Sequence, residues 1–183
     1  EKTGVRLIMI SGDLFDTRNV SALARNTVRD MICTHPQIDF LYLRGNHDSD
    51  NFLSKLEEVP DNLLLFSDTW TAYRYGNIVI SGIELSENNR ATVYNSLVLG
   101  HEDFNIVMMH GQIDRFGSFA GRNIDYLALG HIHKYKIFHY FSTKYSFGAL
   151  LFFRRMVLVS ISICSITMSF SFFCVSEKVL PSS

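Results

Sequence analysis

The sequence predicts an α/β protein built on a largely parallel sheet, and three observations carry that prediction. Short apolar runs at 5–10, 38–43, 105–109 and 124–129 have the length and the branched-aliphatic character of strands buried on both faces. A stretch of helical spacing separates the first two runs, as a crossover between parallel neighbours requires. Each run also ends in glycine beside Asp, Asn or His, and in open α/β sheets ligand sites form beyond the carboxyl ends of the strands.

Taken in order, residues 5–10 are the first strand, closing at Ser11-Gly12, and the loop after it carries Asp13 and Asp16. Between 20 and 33 the residues Val20, Leu23, Ala24, Val28, Met31 and Ile32 recur at helical spacing, with Asn19 as the expected cap and His35-Pro36 as the stop. Residues 38–43 are the second strand, giving a βαβ unit whose loop holds Asn46, His47 and Asp48. A short helix is expected over 51–57, then a strand-like 63–66, and a hairpin of 69–75 and 78–83 about Gly76-Asn77. A helix is expected over 88–99, a buried strand over 105–109 ending at His110-Gly111, and a last strand over 124–129 ending at Gly130-His131-Ile132-His133.

Composition sets limits on function. The chain has 183 residues and a formal net charge of −1, with no run of Lys or Arg, so a broad electrostatic footprint for nucleic acid is not expected and any phosphate preference must come from a local site. Three scattered cysteines, Cys33, Cys164 and Cys174, fit neither a disulfide framework nor a thiolate zinc site and suit a reducing cytosol. The opening residues lead straight into the first strand without the layout of a secretion signal, and the absence of an initiator Met reads as a cut.

Past Lys136 the character changes. Residues 137–183 contain no Asp, Asn or Gln and are crowded with Phe and Ser, and 156–175 is uncharged. Three readings stand side by side: a shifted or non-native reading frame joined to a genuine domain, half-buried strands of period two at 159–163 and 169–172, and a membrane span flanked by Arg154-Arg155. Serine at every second position weakens the last, and membrane association of the protein is not expected. The organisation predicted is therefore a domain over 1–136 and an atypical hydrophobic tail over 137–183.

Asp13, Asn46, His110, His131 and His133 form a mixed carboxylate, amide and imidazole set. Such a set suits a pair of borderline divalent ions better than calcium or a structural zinc. Asp13, at the tip of the first strand, is the natural bridge between two ions, and His131 and His133, two residues apart on an extended segment, point the same way. His35, His101 and His139 have no such company. Arg18, Arg44 and Arg122 suit a phosphate or a solvated surface equally well, and Phe15, Tyr126 and Tyr135 read as sheet packing before base stacking.

Gly12-Asp13-Leu14-Phe15-Asp16, Gly45-Asn46-His47-Asp48, Met109-His110-Gly111 and Gly130-His131-Ile132-His133, in this order, resemble the motifs of the calcineurin-like metallophosphoesterases. Thr17-Arg18-Asn19 after the first and Leu127-Ala128-Leu129 before the last are most similar to the SbcD-type DNA repair exonucleases. The resemblance covers about 5–136 and implies a four-layer α/β sandwich with two metals at one sheet edge. By it, Asp13 bridges the metals, Asn46, His110 and His131 complete one, His133 binds the other, and His47, partnered by Asp48, protonates the leaving oxygen. It further implies manganese as the metal, DNA as the substrate, and for a complete enzyme a homodimer with an ATPase partner subunit.

Two departures accompany the resemblance. The family's opening Asp-x-His motif has no counterpart ahead of the first strand, so the fold is expected to be incomplete, lacking its first strand and helix and binding one metal in place of two. The Pro-Gly segment that usually follows the last motif is also unrecognisable. The expected function is metal-dependent phosphodiester hydrolysis of the DNA exonuclease or endonuclease kind. The alternatives are a phosphatase or small-nucleotide phosphodiesterase, and a catalytically dead, truncated or membrane-tethered metal-binding remnant.

Overall fold

The computed structural model describes residues 5–15, 20–48, 58–111, 122–130, 157–162 and 169–174. Two sheets carry the fold. The first has the order β1-β2-β3, with β1 (Leu7–Ser11), β2 (Asp39–Leu43) and β3 (Leu63–Leu65) all parallel. The second has the order β4-β5-β6-β7, from β4 (Thr71–Tyr75), β5 (Ile78–Ile83), β6 (Phe104–His110) and β7 (Tyr126–Gly130). Here β4 and β5 form the expected antiparallel hairpin, and β5, β6 and β7 run parallel. Gly76 opens the hairpin turn at φ +61°, a conformation that glycine adopts without a Cβ penalty.

Strand alternation distributes the apolar side chains among three clusters, because successive residues point to opposite faces. Leu7 and Met9 of β1 and Leu41 and Leu43 of β2 meet Ile80, Ile106, Met108 and Ala128, so this cluster lies between the sheets. The intervening residues Ile10, Phe40 and Tyr42 turn the other way and bury Val28 and Ile32 of α1 (Ala22–Cys33). On the far side of the second sheet, Ile83, Val107 and Met109 cover Val93 and Leu97 around the single turn α2 (Val93–Ser96). Helix, sheet, sheet and helical turn therefore stack in four layers, as the resemblance implies. Near-continuous apolar strands such as 106–109 follow directly, since both of their faces are covered.

Several local expectations are corrected. The cap of α1 is Ser21, whose Oγ accepts the Ala24 N–H at 3.1 Å, rather than Asn19, which lies outside the described residues. The helix accordingly starts beyond Val20. Leu23 is 78 % exposed, because five residues at roughly 100° each turn it far from the Val28–Ile32 stripe. The helix expected over 88–99 shrinks to α2. Asn89 stops it: its Oδ1 accepts the Ser86 N–H and its Nδ2 donates to the carbonyls of Asp68 and Glu84, holding 86–92 in turns. The helix expected over 51–57 lies outside the described residues.

In the tail, β8 (Val157–Ser162) and β9 (Ser169–Cys174) pair antiparallel as a separate two-stranded sheet, and β9 runs beside β1. The alternating stretches are thus extended strands, and the membrane-helix reading fails over these residues. Among the described residues, no helix is long and apolar enough to cross a membrane.

Candidate metal centre

The site lies where four strands end together: β1 and β2 of the first sheet, β6 and β7 of the second. At Gly12 the chain leaves β1 at φ +81°, and Asp13 follows at φ +53°. An aspartate in the left-handed region is uncommon and strained, and such residues persist where the surroundings hold them in place. Here the holding is explicit. The Asp13 Oδ1 accepts the His47 N–H at 3.0 Å, tying the first loop to the second.

His110, 7 % exposed, ends β6 and enters the same space. Its Nδ1 lies 2.9 Å from the Ser11 carbonyl oxygen, which can only accept, so Nδ1 carries the proton. In the neutral ring that leaves Nε2 with a lone pair, and Nε2 faces the Asn46 Oδ1 at 2.9 Å and the Asp13 Oδ2 at 3.3 Å. Three electron-pair donors converge with nothing positive between them unless Nε2 is protonated or a cation enters. The Asp13 Oδ2 is also buried, and unless the His110 Nε2 is protonated it accepts no hydrogen bond among the described residues. A buried carboxylate oxygen left in that state is costly, and a cation would resolve it. The donor set of one carboxylate, one amide oxygen and one imidazole nitrogen fits a borderline divalent ion.

The electrostatics agree with this arrangement. Burial alone would raise the Asp13 carboxyl, but the hydrogen bond and charge of His110 and the His47 N–H outweigh it, leaving its pKa below the usual range. Burial disfavours the His110 imidazolium, yet the contacts to Asp13 and the Ser11 carbonyl outweigh that and raise its pKa. Asp13 is thereby anionic at neutral pH, and His110 is drawn toward positive charge.

Three glycines make the close approach possible. A Cβ on Gly45 would strike the Asp13 Oδ1 and stand 2.7 Å from the His110 Cε1. One on Gly12 would stand 2.7 Å from the Gly45 backbone, and one on Gly130 would run into the Ser11 carbonyl oxygen and lie 2.7 Å from the His110 Nδ1. Gly130 therefore brings the end of β7 against Ser11 and His110. His131 and His133, the next two candidate ligands in sequence, lie outside the described residues, as do Asp16, Arg18, Tyr135 and His139. Among the described residues no three His, Cys, Asp or Glu side chains gather as a metal-holding group; the described part of the set is Asp13 and His110 with the Asn46 amide.

His47 is half-buried beside Asp13, and Asn46 is exposed. Asp48 is placed differently from a partner of His47. Its Oδ2 accepts the Gly45 N–H at 2.9 Å, its Oδ1 accepts the Phe15 N–H at 3.2 Å, and the Tyr42 hydroxyl donates to it. Burial nonetheless pushes the Asp48 carboxyl up, and the Asp13 charge adds to that. Among the described residues its hydrogen bonds brace the two loops, and none reaches His47.

Arg44 and Glu84 are the residues whose part in the site was not legible as a pair. Glu84, immediately after β5, accepts the Arg44 N–H, Nε–H and Nη2–H, so Arg44 is neither a loose surface charge nor aimed wholly at solvent. The rule that found the others, polar side chains at carboxyl ends of apolar strands, applies equally to Glu84 after 78–83. Arg122 reaches Asn95 and the Leu97 carbonyl, His35 makes a local hydrogen bond to the Met31 carbonyl, His101 meets the Asn123 amide, and Phe15 and Tyr126 pack into the core clusters.

Comparison with curated proteins gives no match. The family model described as calcineurin-like phosphoesterase matches residues 1–135, which spans every motif that builds the site and most of the chain. With that match over a four-layer α/β fold, the chain belongs to the calcineurin-like phosphoesterase family and is a metal-dependent phosphoester hydrolase by family.

Proposed function

We propose that the chain hydrolyses phosphodiesters with manganese and that its natural substrate is the end of a DNA strand. The observation that carries the metal chemistry is the convergence of the buried Asp13 Oδ2 with the Asn46 Oδ1 and the His110 Nε2 on one point. Asp13, Asn46, His110 and His131 would hold one ion in this chain, and His133, with Asp13, would contribute to a second in a complete enzyme. When bound, such ions polarise phosphoryl oxygens and lower the pKa of an attacking water. The chain's own residues supply the rest. The Ser11 carbonyl fixes the His110 tautomer, the His47 N–H holds Asp13, and Asp48 holds the loop that presents Asn46 and His47. His47 donates its proton to the departing alkoxide as the phosphorus–oxygen bond breaks. The preference for DNA rests on the form of the first motif, Gly12-Asp13-Leu14-Phe15-Asp16, and on Leu127-Ala128-Leu129 before the last.

One observation favours a second reading. The formal net charge of −1 gives no broad grip on a polyanion, which suits a small phosphomonoester or nucleotide diester as well. The deciding experiment compares manganese-dependent hydrolysis of an aryl phosphodiester, an aryl phosphomonoester and end-labelled duplex DNA by the purified chain. Diester and DNA cleavage that exceeds monoester turnover is expected. Monoester turnover far above both would remove the nuclease reading and leave the phosphoester hydrolase.

A further inference from the structure

We propose that Glu84 is the positioning residue of this centre: it clamps the loop bearing Asn46 and His47, which grows from the first sheet, onto the second sheet that supplies His110. The clamp rests on the metal-centre reading above, and only its activity arm rests on the phosphodiester assignment. The site straddles two sheets, with Asn46 and His110 on opposite sides of a 2.9 Å contact. Something must fix one side relative to the other, because misplacing a reacting group by about 1 Å is enough to cost on the order of 10²-fold in rate.

Glu84 has the geometry for that task. Its Oε1 accepts the Arg44 backbone N–H at 2.8 Å, and its Oε2 accepts the Arg44 Nε–H at 2.8 Å and Nη2–H at 2.6 Å. Main chain and side chain of the residue preceding Gly45 are thus held by one carboxylate, in charge-assisted bonds of fixed direction. Glu84 is 8 % exposed and is itself anchored: its N–H donates to the Ser67 carbonyl at 2.7 Å, and its carbonyl accepts from the Asn89 amide at 2.8 Å. Its place in the sheet is also specific. Ile83 pairs with Met109, so Glu84 follows β5 at the level where His110 ends β6. The anchor point therefore lies beside the strand end that carries the opposing ligand.

The test measures Mn2+ affinity by titration, with kcat and KM on an aryl phosphodiester, for the full chain and for Glu84→Ala, Glu84→Asp and Asp103→Ala. Asp103 serves as the control, because its bidentate pair with Arg74, at 2.6 and 2.9 Å, sits at the opposite end of β6. Loss of a group that orients a metal ligand typically costs about 10- to 100-fold in affinity. Glu84→Ala is expected to weaken Mn2+ binding about tenfold or more and to lower kcat more than it raises KM, while Asp103→Ala stays within about twofold of the parent. Glu84→Asp keeps the charge but is one methylene too short to meet both sets of Arg44 donors, so it should lose affinity as Ala does. Should Glu84→Ala fail to fold, the folded Asp variant decides. Parental Mn2+ affinity in Glu84→Asp, or an equal loss in Asp103→Ala, would overturn the clamp. A parent chain that binds Mn2+ but leaves the diester intact would overturn the phosphodiester reading alone, with the affinities still reporting on Glu84.

Discussion

At the scale of single residues the site is governed by how closely groups that repel one another have been brought together. Gly45 is the clearest instance, because its missing Cβ is the space that the Asp13 carboxylate and the His110 ring occupy. Gly45→Ala is expected to displace Asp13 and to weaken Mn2+ binding at least tenfold while far-UV circular dichroism is retained, a separation that titration of the folded variant checks. His47 should behave oppositely. It is assigned to proton transfer, so His47→Asn should lower kcat by about 10²- to 10⁴-fold while Mn2+ affinity changes little. Equal loss of both would make it a ligand. That Asp13, Asn46 and His110 would come together was readable because each is a polar side chain at or just beyond the end of an apolar strand. Asp48 was readable as belonging to the site, but its placement was not: hydrogen bonds to Phe15 and Gly45 N–H groups depend on where two loops meet, which spacing along one loop cannot reveal. Glu84 was missed for a related reason, since its partner is 40 residues away.

Among the elements, strands with both faces buried were legible and helices bounded by competing polar groups were not. The runs at 5–10, 38–43 and 105–109 carry their fate in their composition, and β1, β2 and β6 lie within about two residues of the expected bounds. The helix expected over 88–99 failed because Asn89 gives its amide to the turn that precedes α2, a contact with Asp68 and Glu84 that periodicity does not see. The start of α1 moved for a local reason: Ser21, at φ −63° and ψ 150°, is extended and caps the helix. Ser21→Ala should therefore cost about 1 kcal/mol, read as a shift in urea midpoint at unchanged slope, whereas an equal loss from Asn19→Ala would restore the earlier start. For the tail, period two at 159–163 and 169–172 was one of three readings, and β8 and β9 fall over those stretches. Their contribution is open to a direct test, because the three apolar clusters already cover both faces of both sheets with residues between 7 and 129. Truncation after Lys136 is expected to preserve a single cooperative thermal transition. Loss of that transition would mean that β9, running beside β1, supplies an edge the domain requires.

For the molecule as a whole, the question is what keeps two separate sheets in one register, since the candidate centre draws side chains from both. Packing between them comes from Met9, Leu41, Leu43, Ile106 and Met108, all essentially inaccessible to solvent, and such contacts are adaptable in direction. Directional ties are added at both ends. At the site end the tie is Arg44 with Glu84. At the opposite end the Tyr75 hydroxyl donates to the Asp39 carboxylate at 2.8 Å, joining the end of β4 to the start of β2; between these two, the Tyr73 hydroxyl in the middle of β4 donates to the Leu65 carbonyl at the end of β3 at 2.6 Å. Burial first, and then the hydrogen bond and charge of Asp39, hold the Tyr75 phenol protonated well above its ordinary range. The sign of the resulting pH dependence follows. A group whose folded pKa is raised keeps its full stabilisation below the unfolded value, here about 10, and loses it as pH climbs through the folded value. The protein should therefore lose stability with rising pH from about 10 upward as the unfolded chain releases protons that the folded one retains. Tyr75→Phe should cost about 1 kcal/mol at neutral pH, by removing one hydrogen bond, and should flatten that alkaline loss. Urea unfolding of the parent and Tyr75→Phe between pH 8 and about pH 11 makes the comparison, and parallel curves would show that the Tyr75 proton is not part of what holds the sheets together.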